Sequence, residues 1–201
     1  MNRKVFILAG IILFNFTNLY AQPAEGDKQE RLNEDRAADR EARDILSKAK
    51  KASAYIKGTK PDSKVYGEAE FIEEKGGVSI FVEVYNVSPP GKRGIHVHEY
   101  GSCAEGGNAA GGHFNPHGIK HGFFPADGVE KSHPGDMGNV IISPKGEGVL
   151  SVFLRGASLS EGEYNIAGKA MILHEKEDDF GQPTGNAGGR IGCGIIELEK
   201  F

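Results

Sequence analysis

From about Lys50 onward, apolar residues recur at every second position, and this period constrains the fold more than any other feature of the chain. Val78, Ile80, Val82 and Val84 alternate with Ser79, Phe81, Glu83 and Tyr85. A helix would scatter the four branched residues around its axis, whereas a strand gathers them on one face. Comparable short segments occur at 51–57, 64–72, 149–154, 166–173 and 193–199. Turn residues separate them: Gly76-Gly77, Pro89-Pro90-Gly91, Pro144-Lys145-Gly146 and Gly156. With 29 glycines in 201 residues, the chain suits an all-β, turn-rich sandwich or barrel better than a helical bundle. Residues 99–139 break the pattern. They carry no strand period and hold much of the Gly, Pro and His, so a functional loop is expected there.

Six of the seven histidines fall between residues 96 and 133. His96 and His98 occupy positions i and i+2, so a strand would present both imidazoles on one face, with Ile95 and Val97 on the other. His174 ends another strand-like run, Met171-Ile172-Leu173-His174. Imidazole-rich sets suit copper or zinc, while calcium or magnesium would require oxygens. The loop offers a second group, His113, His121, His133 and Asp136, whose three imidazoles and one carboxylate match a closed tetrahedral zinc site. Asp178 or Asp179 could orient ligand imidazoles through their second nitrogen.

The first 48 residues differ from the rest. Arg3 and Lys4 precede an apolar run from Val5 to Phe16 and small or polar residues up to Ala21, the pattern of a secretory signal with cleavage expected after Ala21. The run is too short and interrupted for a membrane span, so none is expected once the signal is removed; a retained anchor is the other reading. Residues 22–48 are rich in Asp, Glu, Arg and Lys, with Asp27–Arg31 and Asp39–Arg43 at helix-supporting spacing. Leu32, Ile45 and Leu46 are its only large apolar groups, which fits a charged linker or helical arm with no named partner. A folded domain is expected over 49–201. The formal net charge of −4, with no basic patch, excludes the footprint of nucleic-acid binding. Cys103 and Cys193 form an even pair, which in an oxidising compartment favours a disulfide; two free thiols are the alternative.

Six segments carry a resemblance. These are Gly94-Ile95-His96-Val97-His98-Glu99, Gly112-His113-Phe114-Asn115-Pro116, Lys120-His121-Gly122 and Gly135-Asp136-Met137-Gly138-Asn139, followed by His174-Glu175-Lys176-Glu177-Asp178-Asp179 and the run from Gly185-Asn186 through Arg190 to Cys193-Gly194. In this order they resemble the copper–zinc superoxide dismutases, over roughly residues 50–201. The resemblance implies an eight-stranded Greek-key β-barrel of Ig-like sandwich architecture with long metal-binding loops, this family being a standard example of that architecture. It implies copper on His96, His98, His113 and His174, and zinc on His113, His121, His133 and Asp136. His113 would bridge both metals and supply a proton to peroxide as a general acid. Asp178 would bind one ligand of each metal, Arg190 would dock the superoxide anion, and Cys103–Cys193 would be the family's disulfide.

Some features depart from the animal enzymes. Cys103 follows His98 by five positions, a short spacing that resembles secreted bacterial members, and points to a periplasmic or extracellular protein. Only Phe180-Gly181-Gln182-Pro183-Thr184 separate Asp179 from Gly185, so the charged loop that steers substrate in this family, itself a standard case of steering, is much reduced. Lys120, Lys131 and Lys176 are the candidates to replace it. His117 has no ligand counterpart and reads as a loop residue. A homodimer is open, and no interface is fixed. A non-catalytic copper or zinc carrier is the competing function, although no ligand is missing here.

Overall fold

The computed structural model describes residues 28, 30–34, 36–37, 40 and 49–200. The chain divides into two units, Met1–Asp44 and Ile45–Phe201. In the first, the described residues from 28 to 40 are helical and exposed. The expected signal over 1–21, its cleavage after Ala21 and the remainder of the 22–48 arm lie outside the described residues.

Among its described residues the second unit has nine strands: β1 (Lys51–Gly58), β2 (Tyr66–Glu74), β3 (Gly77–Tyr85), β4 (Gly91–Val97), β5 (Asp136–Ile142), β6 (Gly148–Arg155), β7 (Ala170–His174), β8 (Arg190–Ile195) and β9 (Glu197–Leu198). Their order is β2-β3-β6-β5-β4-β7-β8-β1-β9, and a further β1–β2 pairing closes the first eight into an antiparallel barrel. The short β9 adds to β1 outside the ring, pairing Ala52 with Leu198. Because β3 lies beside β6 and not β4, the strands β3 to β6 follow the Greek-key order.

Alternation does the sorting in the first three strands. Ala52, Ala54 and Ile56 of β1, Ala69 and Phe71 of β2, and Val78, Ile80, Val82 and Val84 of β3 all enter the core. Sizes are complementary across the ladder: Phe71 pairs with Ala52 on one side and Ile80 on the other. Phe81, on the opposite face, is 42% exposed.

The pattern fails in β4 and β5, which are buried on both faces along most of their length. Ile95 and Val97 enter the core, while His96 faces outward beneath residues of the two long connections. Residues 99–139 therefore contain the start of a strand that periodicity did not reveal: β5 begins at Asp136, and its first three residues are all buried. The connection also contains a 3-10 segment, Glu105–Ala110, and one helical turn, Phe124–Asp127. The expected strand over 166–173 starts later, at Ala170, because residues 166–169 form a turn.

Truncating Phe71 to Ala should cost about 3–5 kcal/mol, since a fully buried ring is lost from a closed core. Phe81→Ala should cost less than about 1 kcal/mol. Denaturant midpoints of the two variants measure the difference, and equal losses would contradict this core assignment.

Candidate metal centre

Strand irregularities aim the histidines. The β4–β5 register shifts between Gly94 and His96, and the β7–β8 register shifts between Leu173 and His174. Such bulges turn a side chain away from its regular direction. A Cβ on Gly94 would press within 3.0 Å of Ala187 and 3.1 Å of the His96 ring, so glycine lets the 175–189 connection approach β4. His98, just past β4, bridges His113 from the facing connection. His121 and His133 come from the same connection, Asp136 opens β5, and Arg190 opens β8 opposite His174. All six histidines are buried, as are Asp136 and Asp178.

They form two sets sharing one member. His96, His98, His113 and His174 each offer a nitrogen within 4.8 Å of the others, and so do the donor atoms of His113, His121, His133 and Asp136. Within the first set, His98 Nε2 lies 3.3 Å from His174 Nε2. Within the second, Asp136 Oδ1 lies 2.8 Å from His113 Nδ1 and 3.0 Å from His133 Nδ1, and its Oδ2 lies 2.7 Å from His121 Nδ1. A third group of His96, His121 and Asp178 joins the two sets. There Asp178 Oδ2 accepts from His96 Nε2 at 2.9 Å and Oδ1 from His121 Nε2 at 2.8 Å.

The donors fit copper and zinc. The Nδ1 atoms of His96 and His121 are buried without hydrogen-bond partners, and the close approach of His121 Nδ1 to Asp136 lacks hydrogen-bond geometry. A buried polar atom left so is costly unless something else coordinates it. Four imidazoles suit copper, and three imidazoles with a carboxylate suit zinc.

Electrostatics divide the histidines. Burial, reinforced by neighbouring imidazoles, lowers His98 to about 2 and His174 to about 3. Burial also lowers His113 to about 4, although Asp136 opposes it. These rings are therefore neutral and ready to coordinate at physiological pH. Burial alone would also lower His121, but the carboxylates on its two nitrogens outweigh it and raise the ring to about 9. Burial would raise Asp136 and Asp178, yet their histidine hydrogen bonds hold both well below the usual carboxylate range.

The guanidinium of Arg190 is fixed by two carbonyls: Nη1 donates to Gly107 O and Nη2 to Gly111 O, both at 2.5 Å. Gly111 O also accepts from His98 Nδ1 at 3.0 Å, which ties the arginine to the first set. Cys103 and Cys193 form a disulfide with a Cα–Cα distance of 5.7 Å, fastening the connection that carries these carbonyls to β8. The sequence did not indicate these carbonyls, nor two side-chain amides. Asn139 donates Nδ2 to Asp178 O at 2.9 Å and accepts from Asp178 N at 2.8 Å. Gln182 does the same for His121. A single polar residue carries no local signal of a partner so far along the chain. Asp179 orients no ligand, contrary to one expectation: it is exposed, and accepts from Gly181 N and the Asn186 amide to close its own turn. His117 stands outside both sets, with Nε2 2.9 Å from Tyr164 OH and 3.2 Å from Glu163.

The shifts predict how the metal-free protein responds to pH. His98, His174 and His113 bind protons more weakly folded than unfolded, so stability falls as pH drops below about 6.5. His121 binds protons more tightly folded, so its contribution is full below about 6.5 and is lost as pH rises through about 9. Calorimetry after chelation should give a melting temperature that peaks near pH 6.5, with the acid limb steeper because three groups act there against one. A melting temperature rising steadily from pH 5 to 9 would contradict the raised His121.

The family model described as copper/zinc superoxide dismutase matches residues 65–196. Among curated relatives, a superoxide dismutase [Cu-Zn] of Paramecium bursaria Chlorella virus 1 is 35% identical over 170 residues, covering 78% of this chain and 89% of the relative. An extracellular superoxide dismutase [Cu-Zn] of Caenorhabditis elegans is 36% identical over 163 residues, covering 76% and 72%. Superoxide dismutase [Cu-Zn] 2 of Aquifex aeolicus is 38% identical over 152 residues, covering 73% and 86%. With an eight-stranded Greek-key barrel that carries two convergent donor sets on its outer face, the chain belongs to the copper/zinc superoxide dismutase family.

Proposed function

We propose that this protein is an exported superoxide dismutase that protects an extracytoplasmic compartment, organised as a signal over 1–21, a charged arm over 22–48 and the enzyme domain over 49–201. The observation that carries the catalytic reading is the pair of buried donor sets sharing His113. His96, His98, His113 and His174 would hold copper, and His113, His121, His133 and Asp136 would hold zinc. Bound copper supplies one-electron exchange, so that one superoxide is oxidised to O2 and the next is reduced to H2O2, while zinc supplies fixed charge.

The residues around the metals have separate tasks. Arg190, held by two carbonyls beside His98, offers its charge to a small anion without reorganising. His113 has Nδ1 fixed at 2.8 Å from Asp136, which leaves Nε2 to carry one of the two protons that peroxide requires. Asp178 holds His96 and His121 at once, so neither set can shift without the other. For steering, Lys176 lies over Gly188, whose carbonyl accepts from His174 Nδ1, and the exposed Lys120 and Lys131 add charge on the 98–135 connection. Export is supported by the signal-like N-terminus, by the disulfide and by the extracellular Caenorhabditis elegans relative.

Metal-loaded protein should remove superoxide. His98→Ala or His174→Ala should lower the rate by at least ~100-fold, and Arg190→Ala by roughly tenfold or more. Stopped-flow superoxide decay measures all three, and wild-type rates in both histidine variants would sink the catalytic reading. A metal carrier would instead release copper readily to a chelator and dismutate little. Deleting residues 1–21 should leave the protein inside the cell, as fractionation would show.

A further inference from the structure

His121 is held differently from the other five histidines of the two sets. His96 and His174 lie within β4 and β7, and His98 and His113 bridge each other. His133 sits in a turn closed by the Asp136 N–H on its carbonyl. His121 instead lies on an irregular stretch whose backbone is held by side chains. The N–H groups of His121, Gly122 and Phe123 donate in turn to Gln182 Oε1 at 3.0 Å, Asp136 Oδ2 at 2.9 Å and Asp127 Oδ2 at 2.8 Å. Gln182 Nε2 donates to His121 O at 2.9 Å, so one amide occupies both backbone groups of this residue.

The same short turn covers the ring. Phe180 lies nearly parallel to the His121 imidazole, 6.3 Å away at 19°, and Phe123 meets Phe180 edge-on at 6.0 Å. The turn is closed on itself by Gly185 N donating to Gly181 O at 2.7 Å and Asp179 N donating to Gly185 O at 2.9 Å. Gly185 allows it to lie there, since a Cβ at that position would strike Asp178 Oδ1 and His121 Nε2.

We propose that Gln182 is a positioning residue that fixes His121 for zinc, and that the shortened turn after Asp179 serves as a clamp on the zinc set. The inference rests on the reading that His121 belongs to that set. The geometry requires a side chain of this length with a donor and an acceptor. Asn would fall about 1.5 Å short, one C–C bond, and Glu would lose the donor and turn a charge toward the His121 carbonyl.

The test uses the full chain loaded with zinc, then with cobalt in its place. Gln182→Ala, Gln182→Asn and Gln182→Glu should each release zinc to a chromogenic chelator roughly tenfold faster than wild type, the scale expected when a ligand loses its supporting contact. Each should also shift the visible absorption bands of the cobalt-substituted site. Asn86→Ala is the control for general loosening, because Asn86 also holds a loop through its amide, to Lys64 O at 3.0 Å, away from the metals. It should change neither readout. Wild-type release rates in the Gln182 variants would overturn the proposal, and so would equal changes in Asn86→Ala. A wild-type protein that takes up no zinc would instead overturn the zinc reading itself.

Discussion

Two buried carboxylates organise this structure. Asp136 and Asp178 are both fully buried, a position that would be prohibitive for a lone charge. Each is compensated by imidazoles: Asp136 by His113, His121 and His133, and Asp178 by His96 and His121. His121 takes part in both groups, which explains why its pKa rises while those of His98, His113 and His174 fall. The carboxylates orient His96, His113, His121 and His133, while the carbonyls of Gly111 and Gly188 orient His98 and His174.

The barrel makes this burial affordable. Its bulges in β4 and β7 fall at the histidines they carry, so the ladder yields regularity where the chemistry needs direction. The two long connections then close over the outer face. They are fixed by the disulfide at one side and by side-chain amides at the other: Asn139 grips Asp178, and Gln182 grips His121. Irregular backbone must still satisfy its polar groups, and here side chains do the work that a strand neighbour does elsewhere. Arg190 follows the same logic, since its two carbonyl acceptors lie on a segment that the disulfide fastens to its own strand.

The sequence made some parts legible because they depend on local pattern. β1, β2 and β3 were visible from alternation, since one face is buried and the other meets solvent. The pair His96 and His98 announced a shared face for the same reason. β5 was hidden because its first three residues, Asp136 to Gly138, are all buried and so show no alternation. Residue type and spacing alone did not separate Asp178 from its neighbour Asp179, whereas the family resemblance singled out Asp178; in the structure the turn after them points Asp178 inward and Asp179 outward.

By itself, then, the sequence determined the strand-rich class and the two groups of candidate donors. Those properties reside in residue type, spacing and order. The tertiary structure alone decided which ring nitrogens face a carboxylate or a carbonyl and which amides hold the irregular segments. Such choices arise from contacts between residues far apart in the chain, 61 positions for Gln182 and His121 and 82 for Asp178 and His96. No local periodicity records a hydrogen bond across that distance, because its partners meet only after the barrel has closed.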